Sequence, residues 1–265
     1  MRFDILTAFP DMFTGPFNES IIKRARDRKL TNIHVHDLRQ FTTDRHRTID
    51  DYAYGGGSGM VLKPEPIFEG VRSIQAGYES GQLNRIILMS ARGQSFTQEA
   101  AKSLTKTDNL LLICGHYKGV DERVIEGLDV EEWCIGDYVV TGGELPAMIV
   151  TDSVVRLIPG VLGDFESAVG DSFYDGFLDC PYYTRPETFD GMQVPDVLLS
   201  GHHGNIDTWR HEQSLKATAE RRPDLLDKVT LTEKDKRIIS SLESRKQELA
   251  GSNRSSEEPD KPAEE

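Results

Sequence analysis

A run of five residues without a polar side chain, Leu110-Leu111-Leu112-Ile113-Cys114, leaves this chain few folds to choose from. A strand with one wet face alternates apolar and polar residues. One that is apolar at every position is covered on both faces, as in the interior of a parallel α/β sheet. The flanking sequence agrees. Short apolar runs at Phe3–Phe9, Ile33–Asp37, Arg85–Met89, Asn109–Cys114 and Glu132–Ile135 predict strands. Between them, helical patterns occupy 18–29, 64–76, 97–105 and 121–127, with a further helix over Leu145–Ile158 stopped by Pro159-Gly160. Ser95 and Gln98 have capping-box spacing at the start of one of these.

Beyond residue 160 the texture changes. Residues 160–200 are rich in Gly, Asp and Pro and hold eight acidic residues against Arg185 alone. This predicts a long connection with little regular structure, and connections of that length are commonly functional. Helical patterns return at 206–222, 224–229 and 232–248, the last with a capping signal from Thr232 and Asp235. From Gly251 to Glu265 the only apolar side chains are Pro259, Pro262 and Ala263. That stretch buries too little surface to offset the entropy of ordering, and is expected to be disordered.

Composition excludes several classes. No apolar run nears the roughly 18 residues of a membrane span, and Arg2 and Asp4 interrupt any leader-like start. Cys114, Cys134 and Cys180 are far apart and odd in number, which points to reduced thiols in a cytoplasmic protein and against a zinc site. The net charge of −13 does not favour RNA. An acidic protein nevertheless binds RNA when its basic residues gather on one face, and Lys23, Arg24, Arg26, Arg28 and Lys29, then Arg39, Arg45 and Arg47, then Arg210, Lys216, Arg221 and Arg222 are the candidates.

Three glycine-bearing segments follow the later strands: Ser90-Ala91-Arg92-Gly93, Gly115-His116-Tyr117-Lys118-Gly119, and Ile135-Gly136-Asp137-Tyr138-Val139-Val140-Thr141-Gly142-Gly143-Glu144. Open α/β sheets bind ligands at strand carboxyl ends, where small residues let peptide groups approach. Three such loops predict a nucleoside-sized pocket walled largely by main chain. The chain has no GxxxxGK[ST], and Phe9-Pro10-Asp11 rather than GxGxxG follows the first strand, so neither a P-loop nor a dinucleotide fold fits. Gly55-Gly56-Gly57-Ser58-Gly59 either cradles an RNA backbone or base or acts as a flexible cover.

Asp44-Arg45-His46-Arg47-Thr48 with Asp50-Asp51, Cys114 to Arg123, Ile135-Gly136-Asp137-Tyr138, Gly142 to Ala147, Ile158 to Gly163, Asp171-Ser172-Phe173, Leu178-Asp179-Cys180-Pro181 and Leu198-Leu199-Ser200-Gly201 together resemble the bacterial tRNA guanine-N1 methyltransferase family. The likeness spans about residues 3–245 in one order and register. It implies an α/β fold of the SPOUT class, a parallel sheet with a deep trefoil knot, plus a small all-helical C-terminal domain. It also implies an obligate homodimer with shared active sites.

The domains it implies are a knotted catalytic domain over 1–160, a mobile linker over 161–180 and a helical tRNA-binding domain over 181–250, ahead of the acidic tail 251–265. The implied activity is transfer of a methyl group from S-adenosylmethionine to N1 of the guanosine at position 37 of tRNA, just 3′ of the anticodon. By resemblance Asp171 is the base and Arg156 the stabiliser of charge on O6. The residues it implies for the cofactor are Leu88, Ser90, Gly115, Tyr117, Gly119, Ile135, Gly136, Asp137, Tyr138, Val139, Val140, Gly142, Gly143 and Pro146.

The resemblance assigns His46, Asp50, Gly59 and Ser172 to the guanine and its 5′ neighbour. Mg²⁺ assists by the same resemblance, with Asp179 a contributor, though no residue set fixes a metal site. The chain departs from the family in carrying His116 and Lys118 where Arg and Glu are common, and Ala91-Arg92 where Pro-Gln is common. Lys118 reverses a charge, so no carboxylate role carries over there. The competing readings are a related methyltransferase acting on another RNA and a non-catalytic RNA-binding regulator.

Overall fold

The computed structural model describes residues 1–78, 85–163 and 169–254. The chain divides into two compact units, Met1–Ala168 and Val169–Glu265.

The first unit is built on a five-stranded sheet in the order β2-β1-β6-β5-β7, from β1 (Arg2–Thr7), β2 (Asn32–Asp37), β5 (Arg85–Ser95), β6 (Asn109–Cys114) and β7 (Val130–Cys134). Every pairing is parallel. As the apolar run requires, β6 lies in the middle, and all six of its residues are buried. Helices cover both sides. On one, α3 (Pro64–Ala76) buries Ile67, Val71 and Ile74 in a core with Leu6, Leu111 and Ile113. Gly70 permits that approach, since a Cβ there would meet Leu6 Cδ2 at 2.9 Å. α6 (Glu144–Val155) packs on β1 and β6, with Ala147, Val150, Thr151, Val154 and Val155 all at 0% exposure. The remaining helices of this unit, α1 (Thr14–Phe17), α2 (Ser20–Asp27), α4 (Gln98–Leu104) and α5 (Arg123–Gly127), are short.

One buried charge ties β1 to its neighbours. The Asp4 carboxylate, fully buried, accepts from Arg2 (2.9 Å), bonds the His36 ring on β2 (2.7 Å) and accepts the hydroxyl of Tyr78. Burial pushes its pKa up, but the bonds from His36, Arg2 and Tyr78 outweigh that and hold it below the usual carboxylate value.

Three details differ from the sequence reading. β5 runs on to Ser95 instead of stopping at Met89, because its register against β7 shifts between Met89 and Gln94 and the strand resumes after that irregularity. Ser95 therefore belongs to a strand, and the cap of α4 is Thr97, whose hydroxyl accepts from the Ala100 N–H at 3.3 Å. The glycine-rich segment joins two short antiparallel strands, β3 (Asp50–Tyr52) and β4 (Met60–Leu62).

The second unit is mainly helical: α7 (Asp196–Leu199), α8 (His203–Arg221), a 3-10 stretch (Pro223–Lys228) and α9 (Glu233–Arg254). It is not all-helical. β8 (Thr188–Phe189) and β9 (Met192–Gln193) form a minimal hairpin. Their turn is Asp190-Gly191, with φ of 49° and 75°, the left-handed pair that an Asp-Gly turn supplies at least cost. The tail expected to lack structure from Gly251 begins within α9, which reaches Arg254; residues 255–265, like 79–84 and 164–168, lie outside the described residues.

Candidate functional site

The carboxyl ends of β5, β6 and β7 sit side by side because β5 lies between the other two. The segments leaving them therefore converge, and they enclose a cavity of about 320 Å³. Ser90–Arg92 comes from the irregular stretch within β5, Gly115–Val120 from after β6, and Ile135 and Tyr138–Gly143 from after β7, with Pro146 of α6 at the end.

Much of this wall is peptide. The Gly143 N–H donates to Gly115 O at 2.6 Å, and His116 pairs with Gly142 as an isolated antiparallel bridge. Glycine is required at both 142 and 143. A Cβ at 142 would collide with Glu144 Oε2 and His116 Nδ1, and one at 143 would sit 2.7 Å from Cys114 Cα. Gly119 has φ of 133°, which a side chain would strain. Tyr117 is left-handed as well, with φ of 60°, a costly conformation for an aromatic residue that marks a constrained loop.

The glycine-rich hairpin braces that loop. Lys118 N–H donates to Met60 O (3.0 Å), Leu62 N–H to Gly119 O (3.0 Å) and Asp121 N–H to Leu62 O (3.0 Å). Burial, and then the bond between its hydroxyl and the Asp50 carboxylate, raise the Tyr117 pKa. Below the loop, Glu144 is buried (1% exposed), accepts the Thr7 hydroxyl at 2.7 Å and faces His116 Nδ1 at 3.4 Å. On the other wall, Arg92 bridges Glu122 (2.9 Å) and Glu132 (3.5 Å).

This wall fits a nucleoside-bearing ligand. Glycines at 115, 119, 142 and 143 leave main chain as part of the wall, and Tyr138, Val139, Val140 and Pro146 supply apolar surface for a flat base.

The family described as tRNA (Guanine-1)-methyltransferase TrmD matches residues 1–228 of the chain. The chain belongs to this family. Among curated relatives, the tRNA (guanine-N(1)-)-methyltransferase of Desulforamulus reducens is 54% identical over 243 residues, covering 92% of this chain and 95% of its own. The protein of the same name from Bacillus cereus is 52% identical over 242 residues, covering 91% and 98%.

Of the cofactor residues expected from the family motifs, Leu88, Ser90, Gly115, Tyr117, Gly119, Ile135, Tyr138, Val139, Val140, Gly142, Gly143 and Pro146 line the one cavity. Gly136 and Asp137 do not; Gly136 is drawn into a turn in which its carbonyl accepts from Cys134 Sγ (2.9 Å) and from the Tyr138 N–H (2.8 Å). The expected substrate residues divide. Asp50 and Gly59 reach the cavity loop: Asp50 through Tyr117, and Gly59 because a Cβ on it would lie 2.8 Å from Lys118 Cγ. His46 sits in an exposed turn closed by the Asp44 carboxylate, which accepts its N–H at 3.1 Å.

Arg156 caps the end of α6 in the first unit. Asp171 and Ser172 belong to the second. There the Asp171 carbonyl accepts from Tyr174 N–H (3.2 Å), and Ser172 Oγ donates to Asp179 (2.6 Å). Among the described residues no three His, Cys, Asp or Glu side chains converge as a metal site.

Sequence reasoning placed Arg92 and Lys118 in the pocket loops without giving them a role, and it did not single out Glu122 and Glu132 as ligand-facing. Their position at or just past strand carboxyl ends was the available signal. Charged residues in loops are ordinarily read as solvated.

Proposed function

We propose that this protein transfers a methyl group from S-adenosylmethionine to N1 of the guanosine at position 37 of tRNA, 3′ of the anticodon. The observation that carries the reading is the convergence of twelve of the fourteen residues expected to hold the cofactor on one cavity along three parallel strands. Gly115, Tyr117, Ile135, Tyr138, Val140 and Gly142 are the residues that would hold the cofactor, largely through peptide groups. S-adenosylmethionine, when bound, supplies an electrophilic methyl carbon on its sulfonium.

Guanine N1 carries a proton and is a poor nucleophile near neutral pH. Asp171 accepts that proton, and the charge this leaves on O6 is met by the Arg156 guanidinium, whose planar fork suits a fixed oxygen. Holding the base and the cofactor in line contributes the rest as proximity. The guanine leaves its stack to reach the cavity, and Asp50, Gly59, His46 and Ser172 are assigned to it. Asp179 already accepts the Ser172 hydroxyl and has no cluster of ligands around it among the described residues, so no step is drawn through Mg²⁺.

The reading also includes a SPOUT-class trefoil knot, a homodimer and a cytoplasmic setting shared with tRNA. The Gly143–Gly115 bond supports the first, since it seats the segment after β7 against the segment after β6. Leu145 and Ile149, one turn apart on α6 and 46% and 44% exposed, support the second as an apolar strip open to another copy. No helix among the described residues is long and apolar enough to cross a membrane.

The test is transfer of labelled methyl to a tRNA transcript with guanosine at position 37, beside one with adenosine there. Label on the guanosine substrate alone is expected. Label on both would overturn the target position, and label on neither would overturn the reaction. Asp171→Ala should abolish transfer while leaving cofactor affinity within about twofold, and full turnover by that variant would remove Asp171 as the base.

A further inference from the structure

The cavity wall carries two cations, Arg92 and Lys118, and the structure treats them differently. Arg92 is neutralised by Glu122 at 2.9 Å and Glu132 at 3.5 Å. Lys118 lines the same cavity, and its ammonium makes no ion pair among the described residues. The residue is exposed, but the loop that carries it is held. The backbone N–H is tied to Met60 O at 3.0 Å, and the stem lies over Gly59, where a Cβ would come within 2.8 Å of Cγ.

We infer that Lys118 holds the α-carboxylate of the cofactor's amino-acid end. This rests on the reading of the cavity as the S-adenosylmethionine site. The ligand in that reading has a nucleoside, which peptide groups and apolar side chains accommodate, and a zwitterionic tail whose one anionic group is a carboxylate. The charged groups on the cavity wall are Arg92, Lys118, Glu122 and Glu132, beside His116. Arg92 pairs with both glutamates, although Glu132 Oε2 keeps no hydrogen-bond partner, and Lys118 is the cation of the wall outside any ion pair among the described residues. An ammonium meeting a carboxylate in a partly enclosed cavity is a charge-assisted bond, stronger than a neutral one. Lys118 is then a residue that distinguishes an amino-acid-bearing nucleoside from the same nucleoside without the tail.

The experiment is calorimetric titration of the full chain with S-adenosylhomocysteine, which keeps the carboxylate, and with 5′-methylthioadenosine, which has no amino-acid end. Lys118→Gln should weaken S-adenosylhomocysteine about tenfold and leave methylthioadenosine within twofold, and Lys118→Arg should restore most of the loss. The difference should narrow as salt rises. Equal loss for both ligands would mean that Lys118 shapes the loop instead, and would overturn the inference. So would unchanged binding of both with a raised, salt-sensitive KM for tRNA, which would make Lys118 a phosphate contact. If the unaltered protein binds neither nucleoside, the reading of the cavity fails and the inference with it. Normal wild-type binding with no change in Lys118→Gln sinks the inference alone.

Discussion

Gly143 shows how little freedom a single position has at this site. Its φ is an ordinary −75°, so conformational strain does not explain the glycine; space does. A Cβ would sit 2.7 Å from Cys114 Cα and 2.8 Å from Gly115 N, both main-chain atoms of a strand end that is paired on either side. Gly143→Ala should therefore cost about 1–3 kcal/mol, as overpacking does, and should weaken nucleoside binding by opening the Gly143–Gly115 bond. A thermal melt and a titration with S-adenosylhomocysteine check both. Gly204 is the control. It lies in α8 with nothing within 4 Å of its would-be Cβ, so Gly204→Ala should be neutral or stabilise by up to about 1 kcal/mol.

Among the elements, α9 carries the clearest local signal. The Thr232 hydroxyl accepts from Asp235 N–H at 3.2 Å, while Asp235 Oδ2 accepts from Thr232 N–H at 2.9 Å and from the Thr232 hydroxyl at 2.7 Å. Thr232→Ala should cost about 1 kcal/mol of stability in the second unit. Asp235 also bonds the His211 ring on α8 at 2.7 Å, linking the two long helices. Burial raises the Asp235 pKa, but the bonds from His211 and Thr232 outweigh it, so the folded value lies below the unfolded one. Its contribution is thus present above the ordinary carboxylate pKa of about 3.9 and is lost as pH falls through the folded value. Acid titration of the helical signal should show this loss, and Asp235→Asn should flatten that part of the curve.

The same scale shows what the sequence could reveal. β6 and α3 stand at the boundaries read from the residues, because a doubly buried strand and a thirteen-residue amphipathic helix are strong patterns. β3 and β4, three residues each, are too short for any periodicity, and the glycines between them read as loop. β8 and β9 were missed although Asp190-Gly191 is a hairpin signal, since strands of two residues show no alternation. The peptide-lined half of the site was legible because three glycine-bearing segments occur together along the later strands, where any one alone would read as a turn. The charged half depends on which loops face each other, and that is fixed by the strand order, with β5 between β6 and β7.

At the scale of the whole molecule, every residue lining the cavity lies in the first unit, and the candidate base lies in the second. The first unit has its own core, with Phe3, Ile5, Ile87 and Leu110–Leu112 at 0% exposure. A fragment of residues 1–163 should fold cooperatively and bind S-adenosylhomocysteine within a fewfold of the full chain, yet transfer no methyl to tRNA. Calorimetry and the labelled-methyl assay check the two halves of that statement. Retained transfer would show that Asp171 is dispensable, and lost binding would show that the second unit completes the cavity.

The peptide character of the cavity wall has a pharmacological consequence. An inhibitor that bonds to peptide N–H and C=O groups of the wall, such as those of Ile135 and Gly142, addresses atoms that every residue except proline presents, so changing a codon does not delete the contact. Escape would have to come through altered shape. At Gly142 and Gly143 any added carbon runs into Glu144, His116 or the Cys114 backbone. Resistance selected against such a compound should therefore fall on the charged rim, at Arg92, Lys118, Glu122 and Glu132, and a molecule that leaves the rim alone gives it little to act on.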